Sequence, residues 1–303
     1  MTSEDRLPGL IVRSQAGFFV VDTPAGRYVA KIRGRMKRSR IASDLAVVGD
    51  RVQIRLVDDG SAIIETVEPR ARVLSRKDPG RRVEQVIVAN PDQAVFVLAC
   101  ADPEPNARTL DRLLVAAERG AIPALICANK IDLVHKGDVR EFFSEYQRIG
   151  YRVILTSAET GSGVKELRHA LSGRVSVLAG PSGVGKTSLL NRLEPGLGRK
   201  TMEISPGTRE GKHSTVVAEL LPLSGGGHIV DTPGLKAFAL WDIEPEEVDA
   251  YFPEIRQRVA GCAFSDCSHM HEPGCAVVQA VERGEISPLR YDSYLRIRLG
   301  EER

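Results

Sequence analysis

The chain has 303 residues, 42% of them hydrophobic and 27% charged, with a net charge of +2. No apolar run reaches the roughly 18–20 residues of a membrane span, and Met1-Thr-Ser-Glu-Asp-Arg6 does not read as a signal peptide, so no membrane partner and a cytoplasmic location are expected. So near-neutral a balance confines any nucleic-acid footprint to a local patch, and the length suggests more than one domain.

From residue 1 to about residue 70 the apolar runs are short and strand-like: Gly9–Val12, Gly17–Val21, Arg27–Ala30, Arg51–Leu56 and Ala62–Val67. Turn residues separate them at Thr23-Pro-Ala-Gly26, Val48-Gly-Asp50 and Asp58-Asp-Gly60. This spacing predicts a small antiparallel barrel of the OB type over residues 1–70. Arg27, Lys31, Arg33, Arg35, Lys37, Arg38 and Arg40 fall together with no acid between them. Such a run suits a phosphate backbone, and equally a solvated basic loop. Phe18, Phe19 and Tyr28 are candidates for base stacking, with core packing expected for at least two of them.

Residues 70–91 read as a mixed, basic connector. The α/β pattern begins after it, and the domain counted with this connector spans residues 71–237. Ala94–Ala99 is a near-continuous apolar strand, and Asn106 is placed to cap a helix carrying Leu110, Leu113, Leu114 and Ala117 on one face, with Gly120 at its end. The strand Ala124–Ala128 runs into Asn129-Lys130-Ile131-Asp132. An amphipathic helix through Val139, Phe142, Phe143, Tyr146 and Ile149 follows, then the strand Tyr151–Leu155, the loop Thr156-Ser157-Ala158 and a short helix near Val164–Leu171. Strand and helix alternate, as in a doubly wound sheet. Cys100 and Cys127 lie in the apolar strands and read as core residues.

Ser176–Ala179 is a buried strand ahead of Gly180-Pro181-Ser182-Gly183-Val184-Gly185-Lys186-Thr187-Ser188, after which Leu189, Leu190 and Leu193 recur at helical spacing. The sequence is a phosphate loop in the strand-to-helix context its chemistry needs. Its glycines let consecutive N–H groups and a helix N-terminus surround phosphate oxygens, Lys186 reaches the outer phosphates, and the Thr187 hydroxyl is a Mg²⁺ ligand. N-K-x-D at the carboxyl end of a strand suits guanine. The Asp132 carboxylate can accept from both the ring N1–H and the exocyclic amino group, a donor pair that adenine lacks. Asn129 can orient the neighbouring loop, and Thr156-Ser157-Ala158 backs the base. A metabolic kinase or ATPase is disfavoured for the same reason. Gly227–Gly234 reads as a strand ending in D-x-x-G, with Asp231 toward Mg²⁺ and the Gly234 N–H toward the γ-phosphate. In the polar stretch between, Thr215 is the favoured metal-sensing residue and Thr208 the alternative. Leu235 stands where many signalling GTPases carry the glutamine that orients the attacking water, so His213 is the candidate for that task.

These motifs define a GTPase, but N-K-x-D and T-S-A precede the phosphate loop, switch and D-x-x-G. That rotated order, together with Val48-Gly-Asp-Arg-Val52, Gly211-Lys-His213 and Cys262-x₄-Cys267-x-His269-x₅-Cys275, closely resembles the circularly permuted GTPases of the RsgA family, also called YjeQ or YloQ. The resemblance covers nearly the whole chain. It departs at Ser214-Thr215-Val216, where three threonines are common, and at Lys212, where arginine is frequent. It implies a bacterial factor in late maturation of the small ribosomal subunit. Such a factor would bind the subunit and its rRNA with GTP, be stimulated by it and leave on hydrolysis to GDP; a monomer is expected. A non-ribosomal switch with protein-binding flanks is the rival reading.

Residues 238–303 hold three cysteines and a histidine within a short loop, a Cys₃His set suited to one structural zinc: Cys262, Cys267, His269 and Cys275, with His271 the competing imidazole. Arg283, Arg290, Arg296 and Arg298 follow on helical stretches, facing RNA or plain solvent. The fold expected is thus multidomain α/β: an N-terminal OB-like β-barrel, a circularly permuted P-loop GTPase domain and a C-terminal zinc-binding helical segment.

Overall fold

The computed structural model describes residues 6–33, 45–57, 60–77, 84–198, 218–231 and 243–301 (backbone only for 76–77, 84–85, 136–140, 218 and 231). The expectations placed on Arg35, Lys37, Arg38 and Arg40 lie outside the described residues.

Alternating sequence builds the N-terminal barrel. β1 (Arg6–Gln15), β2 (Phe18–Thr23), β3 (Gly26–Ile32), β4 (Arg51–Leu56) and β5 (Ala62–Val67) follow the predicted runs. The order is β1-β2-β3-β5-β4, and β1 pairs again with β4, which closes the barrel. Ala16 and Gly17, at φ 50° and 81°, supply the two-residue turn between β1 and β2. Inward and outward residues alternate along the strands, so Ile11, Val21, Ala30, Val52, Ile54 and Ile64 are fully buried; a register shift in β1 also turns Val12 inward beside Ile11. The aromatic expectation needs correcting. Only Phe19 is buried. Tyr28 is half-buried, and Phe18 is 47% exposed on the outer face, where Lys31 lies 4.7 Å from its ring centroid.

The stretch read as a connector contains a hairpin, β6 (Val73–Lys77) against β7 (Glu84–Ala89). It is tied to the barrel by Val48-Gly-Asp-Arg-Val52. The Val48 carbonyl accepts from Ala89 N–H and the Gly49 N–H donates to Ile11, while a side chain at Gly49 would strike the Ala89 carbonyl. Asp50 is fully buried; its carboxylate takes two bonds of 2.8 Å from the Arg70 guanidinium and one of 2.8 Å from Val47 N–H. Removing one partner strands the other's charge in the interior, so Asp50→Ala is expected to cost roughly 3–5 kcal/mol, read as a fall in the urea midpoint. Replacing both, as D50L/R70M, should recover part of that loss. A cost below about 1 kcal/mol for the single variant would show the pair to be dispensable.

The chain continues with β8 (Gln93–Ala99), α1 (Ala107–Arg119), β9 (Ala124–Asn129), α2 (Lys136–Ile149), β10 (Arg152–Leu155), α3 (Val164–Leu171), β11 (Val175–Ala179), α4 (Lys186–Leu193), β12 (Ala218–Pro222) and β13 (His228–Asp231). Asn106 caps α1, its side chain accepting from Thr109 N–H, and Gly120 ends it. The C-terminal region adds a 3₁₀ turn at Pro245–Tyr251, α5 (Pro253–Arg256), α6 (Ala276–Glu282) and α7 (Pro288–Arg298).

The described residues gather into two compact units. The first draws on Met1–Ala94, Val164–Leu178 and Lys186–Ala237. In it β11 pairs in parallel with β13, β13 antiparallel with β12, and β12 with the barrel strand β1 through Arg13↔Glu219. The second draws on Val95–Gly163, Ala179–Gly185 and Phe238–Arg303. Its sheet runs β10-β9-β8, with β9 and β10 parallel. Its C-terminal part packs on α1: Val115 joins Val248, Phe252, Ile255, Val277, Ile286 and Tyr294 in one buried cluster.

That packing corrects the reading of Arg290 as a surface residue. It is 2% exposed, bonded to Asp111 of α1 at 2.6 Å and to Glu254 of α5 at 2.7 and 3.2 Å, over the Phe252 ring. Tyr146 of α2 donates to the same Asp111 carboxylate at 2.9 Å. Burial opposes the charge on Arg290, but its two carboxylate partners outweigh it and raise the guanidinium above its ordinary value. Arg283 is exposed and pairs with Glu285, Arg296 pairs with Asp292, and Arg298 donates to the Pro245 carbonyl.

Candidate functional site

β9 is a fully apolar strand until its last residue, Asn129, which is 1% exposed and therefore must satisfy its amide inside the protein. It does so in two directions. The amide nitrogen donates to the Val184 carbonyl in the phosphate loop at 2.9 Å. The amide oxygen accepts from Ala158 N–H at 3.1 Å and from the Thr156 hydroxyl at 3.2 Å. One side chain thus joins N-K-x-D, T-S-A and the phosphate loop. Thr156 N–H donates to Ala128 at 2.7 Å, and Ile131 N–H donates back to Thr156 at 3.2 Å. Thr156 and Ser157 are fully buried, and the Ser157 hydroxyl accepts from Thr160 N–H at 3.0 Å. Lys130 adopts φ 65°, and its ammonium donates to the Asp102 carbonyl, which holds the aliphatic stem in place. Asp132 is exposed in the 3₁₀ turn Ile131–Leu133 and open to a ligand.

In the phosphate loop Gly180, Gly183 and Gly185 have φ of 154°, 80° and 89°, all values that a side chain disfavours. Two of them also have no room: a Cβ at Gly180 would meet the Val97 carbonyl, and one at Gly185 the Asn129 amide. Val184 is buried, whereas Ser182 and Gly183 are exposed and Pro181 half-exposed, so the crest of the loop is accessible. Lys186, Thr187 and Ser188 form the first turn of α4, anchored beneath by buried Leu189, Leu190 and Leu193. Burial lowers the Lys186 ammonium from its ordinary value; a phosphate anion beside it would act in the opposite direction. Burial also pushes the thiols of Cys100 and Cys127 up to about 12, Cys100 further by nearby Asp132; Cys127 is the core residue expected, whereas Cys100 is only half-buried, one residue past the end of β8.

The structure does not bring the whole sequence-predicted set into view. Asp231 ends β13, at the position its motif requires, with only its backbone described. Thr208, His213, Thr215 and Gly234 lie outside the described residues.

The C-terminal cluster is compact. One ligand atom from each of Cys262, Cys267, His269 and Cys275 lies within 4.8 Å of the others. Cys262 Sγ is 4.0 Å from Cys275 Sγ, and His269 Nδ1 is 3.5 and 3.4 Å from those two sulfurs. A tetrahedral zinc with ordinary bond lengths sets sulfur–sulfur pairs about 3.8 Å and sulfur–nitrogen pairs about 3.6 Å apart. The donors therefore fit, and the cluster could hold a metal ion. His271 is exposed and not part of it.

Sequence reasoning missed the residues that shape this loop. The Glu272 carboxylate accepts from Ser268, Met270 and His271 N–H groups at 2.7, 3.1 and 3.2 Å; these bonds, Ser268's first, hold it well below the usual carboxylate range. Its place inside the ligand loop was the available signal. Tyr291 and Tyr294 donate to the His269 and Ser268 carbonyls at 2.6 and 2.8 Å, and nothing in the sequence marks them.

Among the described residues no helix is long and apolar enough to cross a membrane. Comparison with known proteins identifies the family. Residues 8–64 match the RsgA N-terminal domain and residues 67–241 the RsgA GTPase. The protein of Gemmatimonas aurantiaca named small ribosomal subunit biogenesis GTPase RsgA is 44% identical over 294 residues, 96% of each chain. Its namesake in Caldanaerobacter subterraneus is 39% identical over 97% of this chain and 95% of its own. Crystal structures of YjeQ from Thermotoga maritima (TM-score 0.81, 36% identity, 97% of this chain and 98% of that one) and of YloQ, a circularly permuted GTPase (0.77, 30%, 99% and 97%), share the fold. Near-full-length identity of this order, on a barrel followed by a permuted nucleotide site, makes the chain a member of the RsgA GTPase family.

Proposed function

We propose that this chain, a GTPase by family, hydrolyses GTP to GDP and phosphate in late maturation of the small ribosomal subunit, holding the subunit's rRNA in the GTP state and leaving after hydrolysis. The observation that carries the nucleotide part is the double bonding of Asn129, which couples guanine recognition to the phosphate loop. The ribosomal part follows from the names of the relatives.

In this reading Asp132 accepts from the guanine edge, with Asn129, Lys130, Ile131 and Thr156–Ala158 supporting the base. Residues Gly180–Ser188 surround the phosphates, and Gly234 senses the terminal one. Thr187, Asp231 and Thr215 (or Thr208) hold Mg²⁺, which when bound offsets charge on the outer phosphates. The Cys₃His loop holds one zinc in a structural role. The division into residues 1–70, 71–237 and 238–303 assigns rRNA contact to the barrel and the last segment. The chain acts as a cytoplasmic monomer. Sedimentation with purified small subunits tests the reading: co-sedimentation with a non-hydrolysable GTP analogue, weaker with GDP and reduced by high salt, is expected. Equal partition with either nucleotide would contradict it.

His213 is assigned the orientation of the attacking water, because Leu235 has no hydrogen-bonding group and an imidazole both donates and accepts near neutral pH. His213→Ala should remove most of a stimulation on the order of 10³–10⁵-fold while GTP affinity stays near wild type. Unchanged stimulated turnover would assign the water to another group.

A further inference from the structure

The geometry points to Asp249 as the positioning residue that selects which nitrogen of His269 binds the metal. This rests on the reading that the Cys₃His cluster holds zinc.

His269 is fully buried, and its two ring nitrogens face different neighbours. Nδ1 lies 3.5 Å from Cys262 Sγ and 3.4 Å from Cys275 Sγ, so it looks into the cluster. Nε2 lies 3.4 Å from a carboxylate oxygen of Asp249, which the 3₁₀ turn Pro245–Tyr251 brings up to the ring. A neutral imidazole carries one N–H. On Nε2 it donates to Asp249 and leaves the Nδ1 lone pair for the metal. On Nδ1 it would point a proton into the thiolates and set a bare nitrogen against a carboxylate. Asp249 therefore favours the metal-binding tautomer, and its charge makes Nδ1 a stronger donor.

The rest of the loop limits what the ring can do. His269 holds φ 58°, and its carbonyl is tied to the Tyr291 hydroxyl at 2.6 Å. With the backbone so placed, the remaining freedom is rotation of the imidazole, and a half-turn would put ring carbons in place of both Nδ1 and Nε2. The bond between Nε2 and the Asp249 carboxylate opposes that turn and keeps Nδ1 on the sulfurs. Asp249 is not a fifth ligand, since the oxygen in question faces Nε2, the nitrogen turned away from the sulfurs.

The test uses the full chain. Zinc affinity is measured by competition with a chromophoric chelator for the wild type, Asp249→Ala and Asp249→Asn. Loss of an outer-shell partner should weaken zinc binding about 10–100-fold in Asp249→Ala. Asparagine, whose amide oxygen still accepts the Nε2 proton, should restore most of it. Nitrogen-15 spectra of the zinc-loaded wild type should show a metal-bound Nδ1 and a protonated Nε2, and need no variant to fold. A metal-bound Nε2, or an alanine variant that binds zinc as tightly as the wild type, overturns the assignment alone. A wild type that binds no zinc overturns the zinc reading, and the assignment with it.

Discussion

Asp132→Asn is expected to lower GDP affinity by about 100-fold or more, and to admit xanthosine diphosphate in its place. A carboxylate offers two acceptors to the guanine N1–H and amino group. An asparagine amide offers one acceptor and one donor, so its NH₂ opposes the amino group of guanine. Hydrogen bonds to a charged partner contribute roughly 1.5–3 kcal/mol each, and 1.4 kcal/mol is about a tenfold change; the loss of one bond and the opposition of two donors account for the size. Xanthine carries a carbonyl where guanine carries the amino group, so the same amide fits it. Because Asp132 is exposed, the substitution should leave the fold intact. Titration with fluorescent GDP and competition by xanthosine diphosphate read both halves. GDP binding within threefold of wild type would remove Asp132 from base recognition.

The second large effect concerns the metal. Cys267→Ala should reduce bound zinc from one per chain to none and unfold the C-terminal loop at ordinary temperature. Structural zinc contributes on the order of 10 kcal/mol to small metal-bound segments, far more than the loop's few buried side chains supply. Cys267 and Cys275 belong to the same buried cluster as Val115 of α1, so the damage should spread into the nucleotide-binding unit. Metal analysis, with a lower midpoint of thermal unfolding, checks it. Retention of one zinc would mean that the ligand set is wrong.

Much of this was legible in the sequence, for identifiable reasons. The barrel strands announce themselves as short, β-branched and aromatic runs between turn residues, and Asn106 and Gly120 mark the ends of α1 by their own chemistry. The nucleotide motifs are local runs whose function lies in their backbone. Legibility fails where a residue's fate depends on distant partners. Arg290 looks like any helical arginine, yet Asp111 lies 179 positions away and draws it into the interior. Val73–Lys77 has only Val73 and Leu74 as apolar residues before Ser75-Arg76-Lys77, too short a run to read as a strand, and it takes that form by pairing with Glu84–Ala89. Phe18 and Phe19 are identical in type, and only the register of β2 sends one outward.

GTP turnover with and without purified small ribosomal subunits is the measurement that bears most on the proposal that a partner completes this site. Slow hydrolysis by the chain alone is expected, with an acceleration of roughly 10³-fold or more with saturating subunits, lost on competition by GDP and untouched by ATP. Turnover that is the same with and without subunits would contradict it.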